Sequence, residues 1–147
     1  MQFRFRLLIA AALTMVCAAC TSNRHSAAAF HLPPDGDIER GRQAFLDLGC
    51  NSCHSVAGAD LPKPTVQPPV PVSLGGLVDS PLSDAYLATS IIYPSYDLAP
   101  YPKNQVTAGG KSRMPHYDER MTVRQLADIV TFLQSRYSIV RAPEAYR

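Results

Sequence analysis

Cys50-Asn51-Ser52-Cys53-His54 is the stretch on which the reading of this chain turns. Two thiols stand three residues apart, and an imidazole follows the second directly. Thiols at this spacing serve four chemistries. A redox dithiol places its C-x-x-C at a helix start after the strand of a βαβ unit, and no strand pattern precedes Cys50. A zinc site needs two further ligands at metal spacing. The other histidines, His25, His31 and His116, form no such pair. A disulfide across three residues closes a very small loop and gains little.

The fourth chemistry uses every functional residue of the string. C-x-x-C-H is the attachment site of a c-type haem. Cys50 and Cys53 can add to the two vinyl groups of one porphyrin, and His54 then lies below the iron as proximal ligand. One covalent haem c is therefore the expected cofactor. A sixth ligand has to come from elsewhere, unless the position stays open. Met114 precedes Pro115, which holds it extended so that its thioether can project from a stiff backbone. Its rivals are His116, through nitrogen, and Met121, which has a competing use as a helix staple.

Outward from the motif, helical signals stand on both sides. Asp37 caps a helix from Ile38 to about Leu48, with Ile38, Gly41, Phe45 and Leu48 along one face and Gly49 as its stop. Gly41 inside that helix costs about 1 kcal/mol against alanine, which close approach of another helix would justify. Ser83 caps a second helix through Ile92, with Leu87, Ser90 and Ile91 on one side, and Pro94 breaks it. Thr122-Val123-Arg124-Gln125 is a capping box. After it Leu126, Ile129, Val130, Leu133 and Tyr137 recur at helical spacing, the strongest amphipathic pattern in the chain. Leu61 to Pro71 holds five prolines and reads as an extended loop, a stiff wrap over the surface. Residues 94–113 read as loop. No strand alternation is evident.

The N-terminus is an address. Arg4 and Arg6 precede an apolar run from Leu7 to Val16, and Cys17-Ala18-Ala19-Cys20 is a small-residue exit. Ten apolar residues rise about 15 Å as a helix, half a bilayer core, so the run is a signal rather than a span. Ala18-Ala19-Cys20 resembles a bacterial lipoprotein signal in which Cys20 becomes the lipidated first residue; cleavage after Ala19 without lipid is the alternative. The C-x-x-C made by Cys17 and Cys20 falls inside this signal and carries little weight. Residues 20–36, rich in small and turn-forming side chains, read as a flexible tether. The expected organisation is a signal peptide at 1–19, the tether at 20–36 and one domain at 37–147.

Composition agrees with a single exported domain. The 147 residues carry 14 Lys and Arg against 12 Asp and Glu, and loss of Arg4 and Arg6 leaves them equal. No concentrated basic charge marks a nucleic-acid binder.

These residues, in this order, resemble the small monohaem class I cytochromes c of bacteria. The resemblance covers about Asp37 to Tyr137. It rests on Gly41 and Phe45, the C-N-S-C-H string, the Leu74-Gly75-Gly76-Leu77 turn, the Ser112-Arg113-Met114-Pro115 loop and the last helix. It implies an all-α fold with crossed first and last helices around the haem, in close contact at Gly41, and His54 and Met114 as axial ligands. It also implies a proline carbonyl accepting the N–H of the proximal imidazole, for which Pro71 is named ahead of Pro69. No Trp is present to bond a propionate; Tyr93, Tyr96, Tyr101 and Arg113 are substitutes. The proline-rich loop is longer than in many small members.

The implied activity is one-electron transfer, not catalysis on a substrate, because a filled iron shell leaves no open position. Phe45, Leu74, Ile91, Leu126 and Ile129 are expected to bury the macrocycle. The partners are redox proteins, a respiratory donor and acceptor, on the periplasmic side, with the membrane surface reached through lipidated Cys20. A haem-based sensor with a labile sixth ligand, and a fixed cytochrome subunit of a larger oxidoreductase, are the alternatives.

Overall fold

The computed structural model describes residues 31–140. The expected signal peptide, Cys20 and most of the tether lie outside the described residues.

Helix α1 (Ile38–Asp47) begins where Asp37 caps it, its carboxylate accepting the Arg40 N–H at 2.8 Å. Gly49 stops it in the left-handed region, with φ 72°. A 3-10 turn, Cys50–Ser52, follows at once. Residues 61–71 form neither helix nor strand. Strand β1 (Gly76–Val78) leads to α2 (Asp84–Ile92), whose first turn is closed by Ser83 Oγ accepting from the Tyr86 N–H at 3.1 Å. Next come α3 (Lys103–Val106), β2 (Thr107–Ala108) and β3 (Lys111–Ser112). Helix α4 (Val123–Gln134) and strand β4 (Tyr137–Ile139) complete the order.

The capping box of α4 is closed in both directions. Thr122 Oγ1 accepts the Gln125 N–H at 3.1 Å, and Gln125 Oε1 accepts the Thr122 N–H at 2.9 Å. Leu126, Ile129, Val130 and Leu133 are buried, as their period demands. Phe132 is fully buried too, and Ala127 and Asp128 nearly so. One apolar stripe therefore describes only half of this helix. Asp128 and Phe132 lie against Gly41 of α1, and Phe132 meets Phe45 edge-on with ring centroids 5.8 Å apart. Ile129 and Leu133 border a cavity instead.

A carboxylate fastens this contact. Asp128 accepts from Arg40 Nε at 2.9 Å, from Arg40 Nη2 at 3.1 Å and from the Asp37 N–H at 2.8 Å. The residue that caps α1 is thus itself held by α4. Arg40 holds the Asp128 carboxyl below its usual range.

Residues 94–113, expected as loop, hold helix α3 and strands β2 and β3, and three further expectations need correction. The fold is not purely helical: β1 pairs with β4 in parallel, Gly76 opposite Tyr137, and β2 pairs with β3 antiparallel. Strands of two or three residues are too short to print an alternation. The β2–β3 turn uses Gly109 and Gly110, both at positive φ, as a two-residue hairpin requires. Secondly, α4 ends at Gln134, so Tyr137 belongs to a strand. Thirdly, the tether stops short of Gly36. Leu32 packs on the core, Asp35 pairs with Arg124 at 2.8 Å, and a Cβ at Gly36 would stand 2.9 Å from the Ala127 carbonyl oxygen.

Candidate functional site

The motif is shaped by the way α1 ends. Left-handed Gly49 turns the chain, and the Cys53 and His54 N–H groups then both donate to the Cys50 carbonyl, at 3.2 and 3.0 Å. One tight turn thus gathers both thiols and the imidazole.

His54 is fixed by a segment 18 residues away. Its Nδ1 lies 2.9 Å from the Val72 carbonyl oxygen. Only a protonated Nδ1 can bond there, so Nε2 keeps its lone pair free to bind a metal. The carbonyl expected from Pro71 is therefore supplied one residue later. In an extended chain successive groups point to opposite sides; Val72 and Leu74 are half-buried, whereas Pro71 is exposed and does not border the cavity. Three backbone bonds hold this stretch against the motif, one of them from the Ala57 N–H to the Leu74 carbonyl at 2.8 Å. The Leu74 N–H donates to the Ser55 carbonyl at 2.9 Å, and the Val66 N–H donates to the Ser52 carbonyl at 2.8 Å.

A cavity of about 380 Å³ opens beside the motif, within the size range of sites for small organic groups. Cys50, Cys53, His54, Leu74 and Met114 all border it. Phe45, Leu87, Ile91, Ile129 and Leu133 supply apolar wall. Leu126 is buried in the core but does not border the cavity.

Met114 arrives through the β2–β3 hairpin. Ser112 is held by its N–H donating to Ser95 Oγ at 3.0 Å, and Arg113 by its N–H donating to the Val106 carbonyl at 2.9 Å. The Met114 N–H donates to Ser112 Oγ at 3.2 Å. Neither His116 nor Met121 borders the cavity. His116 lies against Tyr93, with ring centroids 5.6 Å apart, and Met121 packs on the core.

The electrostatics of the wall are spare. Arg113 and Asp97 are its fixed charges. Tyr93, Tyr96 and Tyr101 do not border it, so Arg113 alone of the four propionate candidates does. Burial pushes the Cys50 thiol up to about 11, with the neighbouring Cys53 adding to the shift. Tyr117, missed in the sequence reading, is buried in the wall near Cys50, and burial raises its hydroxyl pKa as well.

The donor set fits a c-type haem. Two thiols and an imidazole with free Nε2 meet at one wall of an apolar space, and a thioether borders the same space. Val72 was missed, although Val70, Val72 and Leu74 alternate as an extended segment with one apolar side should. The family described as Cytochrome c matches residues 38–136, two thirds of the chain. No curated protein and no solved structure matches it.

Proposed function

The chain belongs to the cytochrome c family, whose members hold haem and transfer electrons, and on that premise we propose that it is a one-electron carrier with a single haem joined covalently to Cys50 and Cys53. When bound, the haem iron supplies a reversible one-electron couple. His54 is the proximal ligand, and the Val72 carbonyl holds its ring orientation and tautomer. Met114 would hold the iron from the other side of the cavity, and an imidazole–thioether pair would favour the reduced state and disfavour ligand exchange. The apolar wall from α1, α2 and α4 keeps water away and geometry constant between redox states.

The observation that carries this reading is the bordering of one apolar cavity by Cys50, Cys53, His54 and Met114. In keeping with the leader-like N-terminus, the protein works on the periplasmic side of a bacterial membrane. Cys20 carries a lipid, and the partners are redox proteins that donate and accept single electrons. The protein, expressed in a host competent for cytochrome maturation, should be red. Its intact mass should include one haem, plus acyl chains at Cys20, and its reduced spectrum should be low-spin. A colourless product without tetrapyrrole mass overturns the proposal. Ready binding of carbon monoxide by the reduced protein instead favours a sensor with an open sixth position.

A further inference from the structure

Among the described residues that border the cavity, Tyr117 alone combines a hydroxyl with near-complete burial, at 7% exposed. A phenol set in an apolar wall needs a partner for its proton. Its hydroxyl donates to the Leu48 carbonyl across a long 3.4 Å and meets the Cys50 sulfur. Leu48 is the C-cap of α1, and carbonyls at a helix end lack an intrahelical donor. Gly49 and Cys50 follow it directly. Tyr117 therefore grips the turn that carries Cys50, Cys53 and His54.

The same residue stands three positions after Met114, with Pro115 between them. The ring of Pro115 fixes one backbone angle of this short span. Ahead of Met114 the chain is held to Ser95 and Val106 through Ser112 and Arg113. Behind it the Arg120 N–H donates to the Tyr117 carbonyl at 3.0 Å, and the Arg120 guanidinium lies 5.6 Å from the centre of the Tyr117 ring. Met114 thus sits on a brief span pinned at both ends. Of these pins, Tyr117 is the one that reaches the motif, since Leu48 lies 69 positions before it.

We propose that Tyr117 is the positioning residue for Met114: its hydroxyl ties the methionine loop to the turn at Leu48 and Cys50, and so sets the separation of the thioether from the His54 imidazole. This role rests on the assignment of Met114 to the iron. His54 follows Cys53 directly and moves with the turn, whereas Met114 moves with the hairpin. Without a tie between the two segments, fluctuations of the hairpin change their separation. An incoming ligand binds only molecules in which the thioether has left, so its apparent affinity reports that fraction.

Carbon monoxide titration of the reduced, haem-loaded protein tests this. Tyr117→Phe keeps the ring and removes the tie. Its apparent affinity for carbon monoxide should exceed that of wild type about fivefold, the contribution of one hydrogen bond. Tyr117→Leu removes the ring as well and should exceed it further. Met114→Ala sets the open-site limit. Phe132→Leu, at a contact that does not border the cavity, should melt at lower temperature with its affinity unchanged. Wild-type affinity in Tyr117→Phe beside an open Met114→Ala overturns the proposal and leaves the ligand assignment standing. An equal rise in Phe132→Leu overturns it too, as general loosening. A closed Met114→Ala overturns the ligand assignment and with it the role of Tyr117.

Discussion

A Cβ placed on Gly41 would overlap the carbonyl oxygen of Asp128. Helices α1 and α4 touch backbone to backbone at this point, and the same Cβ would lie 2.7 Å from Cβ of Phe132. None of these atoms is the free end of a flexible side chain. Gly41→Ala must therefore push the helices apart, at a cost of about 3 kcal/mol, the upper end for overpacking. Urea unfolding of the haem-loaded protein measures it; a loss under about 1 kcal/mol would show that the contact yields easily.

Asp128 makes stability depend on acid. The Arg40 guanidinium lowers its carboxyl pKa in the folded chain. The stabilisation is fully present above the unfolded value, about 3.9, and is lost as pH falls through the lower folded value. Asp128→Asn should melt at lower temperature than wild type at neutral pH. The gap should close as both are taken to about pH 2. A constant gap across that range assigns the effect to packing rather than charge.

Met114 is tested by its absence. Met114→Ala should open the sixth position, turn the reduced spectrum high-spin and admit carbon monoxide. Met114→His should stay low-spin at a lower potential, because a second nitrogen ligand favours the oxidised state relative to thioether. If His116→Ala or Met121→Ala gives the open-site spectrum and Met114→Ala does not, the ligand assignment moves accordingly.

The proposed haem would also act as core. A void of about 380 Å³, at about 24 cal/mol per Å³, costs at most about 9 kcal/mol. The opening to solvent makes this an upper bound, yet it is as large as the whole stability of a typical domain. Cys50→Ala with Cys53→Ala should abolish cooperative thermal unfolding by circular dichroism. A sharp transition near that of wild type would show that the polypeptide closes the space unaided.

Local chemistry was plain in the sequence. Asp37, Ser83 and Thr122 each cap the helix assigned to them, because a cap depends on residues three apart. Gly41 was legible as a close helix contact from its cost in a helix interior, and the family resemblance named the last helix as its partner. What escaped was set by distant chain. Phe132 and Asp128 lie off the main stripe of α4 and are buried by α1. Tyr137 leaves the helix to pair with Gly76, a partner 61 positions earlier. Val72 meets His54 through its backbone carbonyl, which no side chain advertises.

The bond from His54 Nδ1 to Val72 gives the proline-rich stretch a mechanical duty. A segment that rotates little about its own bonds works as a strut, passing displacement along its length instead of absorbing it. One end of this strut rests on a ring nitrogen whose partner atom, Nε2, is the one the proposed haem iron would bind. Shortening it, or loosening it with glycine, should change the tilt of that ring from a distance, so a surface loop would act as the adjusting screw of the proposed redox centre.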